Sequence, residues 1–207
     1  MSSTSAKPRT RKSPAERSAE ILAAATELAR EQGLSALTLR AVAERAGVAS
    51  GLIAHYQPSM DELVARVYTD LVDAEIREVE IEIGAVASPA ERMAALLETL
   101  LDGTREDITV VWAEAWALGR RNPALADAVR AQMDAWHRMV AALIEEGRAA
   151  GDFTADAADA AWQLLGMIDG LNAQSLARGV EAEGSAAKMA RAAEILLGAA
   201  PGSIRAR

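Results

Sequence analysis

Three times the chain places a serine three residues ahead of a glutamate and directly before an apolar stripe: Ser13-Pro14-Ala15-Glu16, Ser59-Met60-Asp61-Glu62 and Ser88-Pro89-Ala90-Glu91. In this pattern the serine hydroxyl accepts from the N–H of the fourth residue, and the glutamate carboxylate reaches back to the serine N–H. Two donors that a helix start leaves unpaired are satisfied together. Proline after the serine in two of the three has no N–H to strand and a φ already near the helical value. A chain with three such starts, each leading into apolar residues at helical spacing, is committed to helix. Composition agrees, because aromatics are 3% and few β-branched or aromatic runs exist to build a sheet. The expected fold class is all-α, with about nine helices.

The first helix carries Ile21, Leu22, Ala25, Leu28 and Ala29 on one face and stops at Gly33. Thr38 is a candidate cap for a short second helix whose inward face is Leu39, Val42, Ala43 and Ala46. Gly47 permits the left-handed backbone of a tight turn, and a third short helix runs from about Ser50 to Tyr56, stopped by Pro58. A fourth, long helix reaches about Ile83. Five more are expected at about Pro89 to Gly103, Arg105 to Arg121, Pro123 to Ala150, Ala155 to Arg178 and Ser185 to Leu197. The expected organisation is a disordered basic tail (1–12), a three-helix unit (13–58), a larger helical body (59–200) and a short tail (201–207).

Residues 38–56, TLRAVAERAGVASGLIAHY, combine two short helices, a glycine turn and apolar positions spaced for steep crossing, which is the helix-turn-helix pattern. The first two helices hold the third outward. A helix about 10–12 Å across suits a major groove about 12 Å wide, so double-stranded DNA is the expected partner.

The net charge of −8 argues against that until it is divided. Residues 1–58 hold 8 Lys and Arg against 5 Asp and Glu, whereas residues 59–207 hold 14 against 25. A mildly basic head sits on an acidic body. Lys7, Arg9, Arg11 and Lys12 form either a basic arm along DNA or a solvated tail. The sequence has no cysteine and only two histidines, His55 and His137, so disulfides, thiolate chemistry and a His-rich metal site are not expected. Neither a phosphate-binding glycine loop nor a Glu-x-x-His pair occurs, so the chain is not expected to be an enzyme, and no cofactor is implied. No apolar run approaches membrane-spanning length, no membrane partner is expected, and the polar N-terminal stretch lacks a secretory apolar segment. The cytoplasm is the default location.

The run from Ser13 to Leu63 resembles the N-terminal domain of TetR-type regulators. The matching residues are Ile21–Ala25, Gly33-Leu34, Leu37–Ala43, Ala46–Val48, Gly51–Ile53 and Pro58-Ser59. Gly51-Leu52-Ile53-Ala54-His55-Tyr56 is most similar to the betaine-regulator (BetI-like) branch. Trp112, Asn122–Leu125, Gly151–Phe153 and Ile168–Leu171 resemble that branch's C-terminal domain. The resemblance implies a homodimeric, ligand-responsive transcriptional repressor on palindromic operator DNA. By position it implies phosphate contacts from Thr38 and Arg40, and a DNA-facing set of Ser50, Gly51, Leu52, Ala54, His55 and Tyr56. Four residues depart from the pattern. Ala49 stands where a capping Ser is usual, so Ser50 is the expected substitute. Ala54 replaces a common Tyr, Gln57 a common Phe and Met60 a common Lys.

The acidic body must do something other than grip phosphate. Trp112, Trp116, Trp136 and Trp162, with Met133, Met139 and Met167, suit either core filling or a largely apolar effector pocket. Several indoles could also cage a quaternary ammonium ligand. Asp169, acidic on an apolar helix, is expected to be a hydrogen-bonded structural residue. Ala161, Leu164, Leu165, Ile168 and Leu171 of helix 8, with Ala193, Leu196 and Leu197 of helix 9, suit either the protomer core or a four-helix dimer bundle. The family resemblance places the dimer interface on those two helices.

Overall fold

The computed structural model describes residues 13–178 and 184–206. The expected basic arm (Lys7, Arg9, Arg11, Lys12) lies outside the described residues. The helices are α1 (Pro14–Gln32), α2 (Leu39–Arg45), α3 (Ser50–Tyr56), α4 (Met60–Gly84), α5 (Pro89–Leu101), α6 (Glu106–Gly119), α7 (Pro123–Ala150), α8 (Ala157–Arg178) and α9 (Ser185–Leu197). No strand occurs among the described residues. One element was not legible in the sequence, a 3-10 turn over Leu34–Ala36 that seats Leu34 and Leu37 in the core.

The serine half of each capping signal acts as read, whereas the reciprocal glutamate bond to the cap N–H forms at α1 alone among the described residues. Ser13, Ser59 and Ser88 accept from the N–H groups of Glu16, Glu62 and Glu91, and Asn122 accepts from Leu125 at the start of α7. At α3 the expectation fails. The cap is Ala49, which has no side chain to offer, and Ser50 is already the first helical residue.

Two packing units result. Ile21, Ala25 and Leu28 of α1, Val42 and Ala43 of α2, and Ile53 of α3 are all buried and form the core of the head. Gly47, at φ 64, turns the chain from α2 into α3, and the Val48 N–H closes the turn on the Ala43 carbonyl at 3.0 Å. In the body α7 is central, packing on α4, α5, α6 and α8. α4, roughly 37 Å long at 1.5 Å per residue, starts beside the head and runs along α7. α6 also touches the head, packing on α1 and the 3-10 turn.

The α7 terminus depends on a close approach. Gly147 is buried, and a Cβ there would sit inside the ring of Phe153, itself 2% exposed. Gly147→Val should expel the ring and cost about 2–3 kcal/mol from lost burial and overpacking. The check is the urea midpoint at fixed protein concentration, and an unchanged midpoint would refute the packing argument.

Candidate functional site

Two surfaces carry chemistry. The first is the outer side of the head. Thr38, Arg40, Gly51, Ala54 and His55 are exposed, while Ser50, Leu52 and Tyr56 are half-buried. Thr38 also caps α2 by accepting from the Ala41 N–H at 3.1 Å. Tyr56 divides its ring between the head core and an edge-to-face contact with His55, centroids 5.0 Å apart. The head's arginines are mostly occupied: Arg17 pairs with Glu20, Arg30 with Asp107, and Arg45 with Glu27 and Glu31. Arg40 makes no ion pair among the described residues. No acidic residue lies between Ala46 and Met60, so α3 presents an uncharged face that phosphates do not repel.

The second is a small cavity in the body, bounded by α4, α5, α6, α7 and α8, with a volume of about 60 Å³ and partly open to solvent. It brings together Trp112, Trp116, Met133 and Trp136 of the seven pocket candidates. Trp112 and Trp116 share one face of α6, with centroids 6.0 Å apart. The other three stand outside its lining. Met139 packs against the core, Trp162 is 68% exposed, and Met167 is 42% exposed. Leu165, Ile168, Asn172 and Ala173 complete the α8 wall, and His137 adds an imidazole from α7.

Sequence reasoning did not find Glu75. It is 7% exposed on α4, and its carboxylate accepts the Trp112 indole N–H at 3.0 Å. Burial pushes it up to about 7, against the lowering effects of the Trp112 hydrogen bond and of the Arg105 charge. Asp169 also differs from its expected role. It lines the cavity half-buried, makes no side-chain hydrogen bond among the described residues, and is raised by burial to about 6. The Tyr68 ring meets Trp112 edge-on at 5.4 Å, and its buried hydroxyl has no hydrogen-bond partner among the described residues. Burial raises this phenol well above its ordinary range, reinforced by Glu75 and Asp169.

The cavity thus brings together three indole rings and two carboxylates, with no lysine or arginine in its lining. π faces and carboxylates both favour a cation. No cluster of three His, Asp or Glu side chains able to hold a metal ion occurs among the described residues. No helix among them is long and apolar enough to cross a membrane.

The tetR family of bacterial regulatory proteins matches residues 21–67, and the C-terminal domain of BetI-type transcriptional repressors matches residues 89–198. The HTH-type transcriptional regulator BetI of Burkholderia cenocepacia is 30% identical over 161 residues, covering 75% of this chain and 79% of that protein. The HTH-type transcriptional repressor KstR2 of Mycolicibacterium smegmatis is 32% identical over 89 residues, 43% of each protein. The chain spans about half the length of the first curated relatives it matches, 43% and 54% of the two proteins. Among solved structures, a transcriptional regulator from Saccharomonospora viridis in complex with choline has a TM-score of 0.73 at 24% identity, covering 89% of this chain and 96% of that one. A TetR-family regulator from Rhodococcus has a TM-score of 0.73 at 21% identity, covering 88% and 99%. With its N-terminal head and its C-terminal body both matched, the chain belongs to the TetR family of bacterial transcriptional regulators, on the BetI-type branch.

Proposed function

We propose that the chain is a homodimeric repressor that occupies a two-fold symmetric operator through α3 and leaves it when an organic cation of the quaternary ammonium class enters the cavity. The single observation behind the effector class is the cavity lining of three indoles and two carboxylates without a basic counterpart other than His137. A trimethylammonium group cannot donate a hydrogen bond. It is held by π systems and by negative charge, and this wall carries both kinds of group. Choline in the Saccharomonospora viridis relative supports the same class.

On the DNA side, Thr38 and Arg40 would bond phosphates from α2. Ser50, Gly51, Leu52, Ala54, His55 and Tyr56 would face the groove, with Leu52 and Ala54 limited to apolar contacts such as a thymine methyl. Dimerisation is assigned to α8 and α9. Most of the residues read as interface or core on these helices fill the protomer: Ala161, Leu164, Leu165, Ile168, Ala193 and Leu197 are buried in it. The interface would use their outer sides, where Trp162, Met167 and Ile195 are exposed.

The two helices that bear most of the cation-binding groups also hold the head. α4 carries Glu75 and begins directly after α3, while α6 carries Trp112 and Trp116 and packs on α1. A cation that prefers one setting of α4 and α6 would shift the separation of the two α3 helices away from the roughly 34–36 Å of one DNA turn.

Operator mobility shifts test the reading with choline and with its neutral isostere, in which a tert-butyl group replaces trimethylammonium. Choline should weaken operator binding about 5- to 150-fold, the usual range of such couplings, and the isostere should leave it unchanged. Equal effects of the two, or none from either, would reject the cation reading.

A further inference from the structure

The two sides of α8 differ sharply. Leu164, Leu165 and Ile168 are buried, while Trp162, Gly166, Met167, Gly170 and Ala173 are exposed. A Cβ added to Gly166 or Gly170 would meet no atom within 4 Å. Between Ala160 and Ala177 the helix has one charge, Asp169. An apolar face with a projecting indole beside two bare backbone positions marks a covered surface rather than a solvated one.

This face complements itself when run antiparallel. Asp159 stands at one end and Arg178 at the other, so a two-fold pair sets each acid opposite the other copy's base. The projecting indole lies toward one end, so each copy lays a ridge over the far end of the other's face. The glycines let the two helix axes approach closely.

The face also adjoins the cavity. Met133, His137 and Asp169 line the cavity and also line an open groove formed with Trp162, Gln163, Gly166 and Met167. Three side chains therefore separate the effector chamber from the unpartnered side of α8. Asn172 and Ala173 extend the chamber wall toward that side.

We propose that a second copy of the chain, seated antiparallel on this face, fills the groove beside Met133, His137 and Asp169 and closes the outer wall of the cavity. The effector site is then complete only in the dimer, with Trp162 of the partner subunit lying over the C-terminal end of this face, beyond Ala173. The link to effector binding rests on the cation reading above, but the closure itself does not.

The absence of cysteine makes the closure measurable. Met133→Cys places a single thiol on the wall shared by cavity and groove. In the dimer it should react slowly with N-ethylmaleimide. Adding Gly166→Glu and Gly170→Glu puts four carboxylates into the crossing without lowering helix propensity. The product should sediment as a monomer, its thiol should react at least tenfold faster, and choline affinity should fall at least tenfold. Trp162→Ala, which leaves the crossing itself intact, should speed the thiol several-fold in a protein that remains dimeric. The proposal is overturned if the double-Glu protein stays dimeric, or if it is monomeric with an unchanged thiol rate. A parent dimer that protects the thiol yet ignores choline upholds the closure and rejects the cation reading alone.

Discussion

A chain carrying Glu75→Gln is expected to bind operator as tightly as the parent and to keep holding it in the presence of choline. The introduced amide can still accept the Trp112 indole N–H through its oxygen, so the local packing is preserved. What is lost is one of two negative charges in a chamber without lysine or arginine. Losing a partner from a close, desolvated charge pair costs about 2–4 kcal/mol, roughly 30- to 1,000-fold in choline affinity. The parent should also be pH-sensitive. Glu75 lies at about 7 and Asp169 at about 6, so both are largely protonated at pH 5 and largely ionised at pH 8. A cation favours the ionised forms, so choline affinity should rise through pH 6–7.5 with proton release, and the Glu75→Gln variant should show a flatter rise. Stability runs the other way. Both pKa values are raised on folding, so the empty native state holds more protons than the unfolded chain between about pH 4 and 7, and its stability falls as pH rises through that window. Glu75→Gln should therefore raise the Tm of the empty protein at pH 8 and change it little at pH 5. Titration calorimetry and thermal melts at the two pH values check both halves, and parent-like choline affinity at pH 8 would reject the role of Glu75.

Which parts of this site the sequence disclosed follows from what periodicity can and cannot encode. Trp112 and Trp116 were legible as a pair because a separation of four residues fixes a common helix face. Trp162 carries the same residue type, but its exposure depends on which side of α8 meets α7, and composition does not record that. The same ambiguity hid the fate of Leu164, Leu165 and Ile168, which suit a protomer core as well as a dimer bundle. Glu75 did leave a signal. It occupies the register of Leu71, Val72 and Val79 on α4, so an acid sits where the stripe calls for an apolar side chain. That conflict between residue and register is a recurrent mark of functional positions. Asp169 broke its stripe in the same manner, but the assumption that an acid on an apolar face finds a hydrogen-bond partner gave it the wrong role. The helix starts were read most directly, because a capping box is local chemistry that needs no knowledge of the tertiary fold. Ala49 marks the limit of that reading: α3 starts without a side-chain cap because α1 and α2 hold it through Ile53.

Glu114→Ala is expected to leave choline bound while the operator responds to it much less. Glu114 lies on α6 between Trp112 and Trp116 in sequence, and it reaches the head. Its carboxylate accepts the Ser35 N–H at 2.9 Å and the Ser35 hydroxyl, and it occupies the space where Gly33, at φ 82, would carry a Cβ. Two turns away, Asp107 of α6 pairs with Arg30 of α1 at 3.2 Å. The cavity-facing and head-facing groups of α6 thus belong to one rigid rod, and a shift of the indoles on one side must displace the carboxylate on the other. α4 offers a parallel path through covalent continuity with α3, so removing Glu114 should reduce the coupling rather than abolish it. The bonds are partly solvated, which limits their worth to about 1–2 kcal/mol. Set against a total coupling of about 1–3 kcal/mol, of which α4 carries the rest, this amounts to a fall of about two- to five-fold in the factor by which choline weakens operator binding. The measurement is a four-point cycle, operator affinity with and without choline in the parent and in Glu114→Ala. Choline affinity measured without DNA serves as the control and should stay within about two-fold, since Glu114 is not part of the cavity lining. A full choline response in the variant would place the transmission in α4 alone.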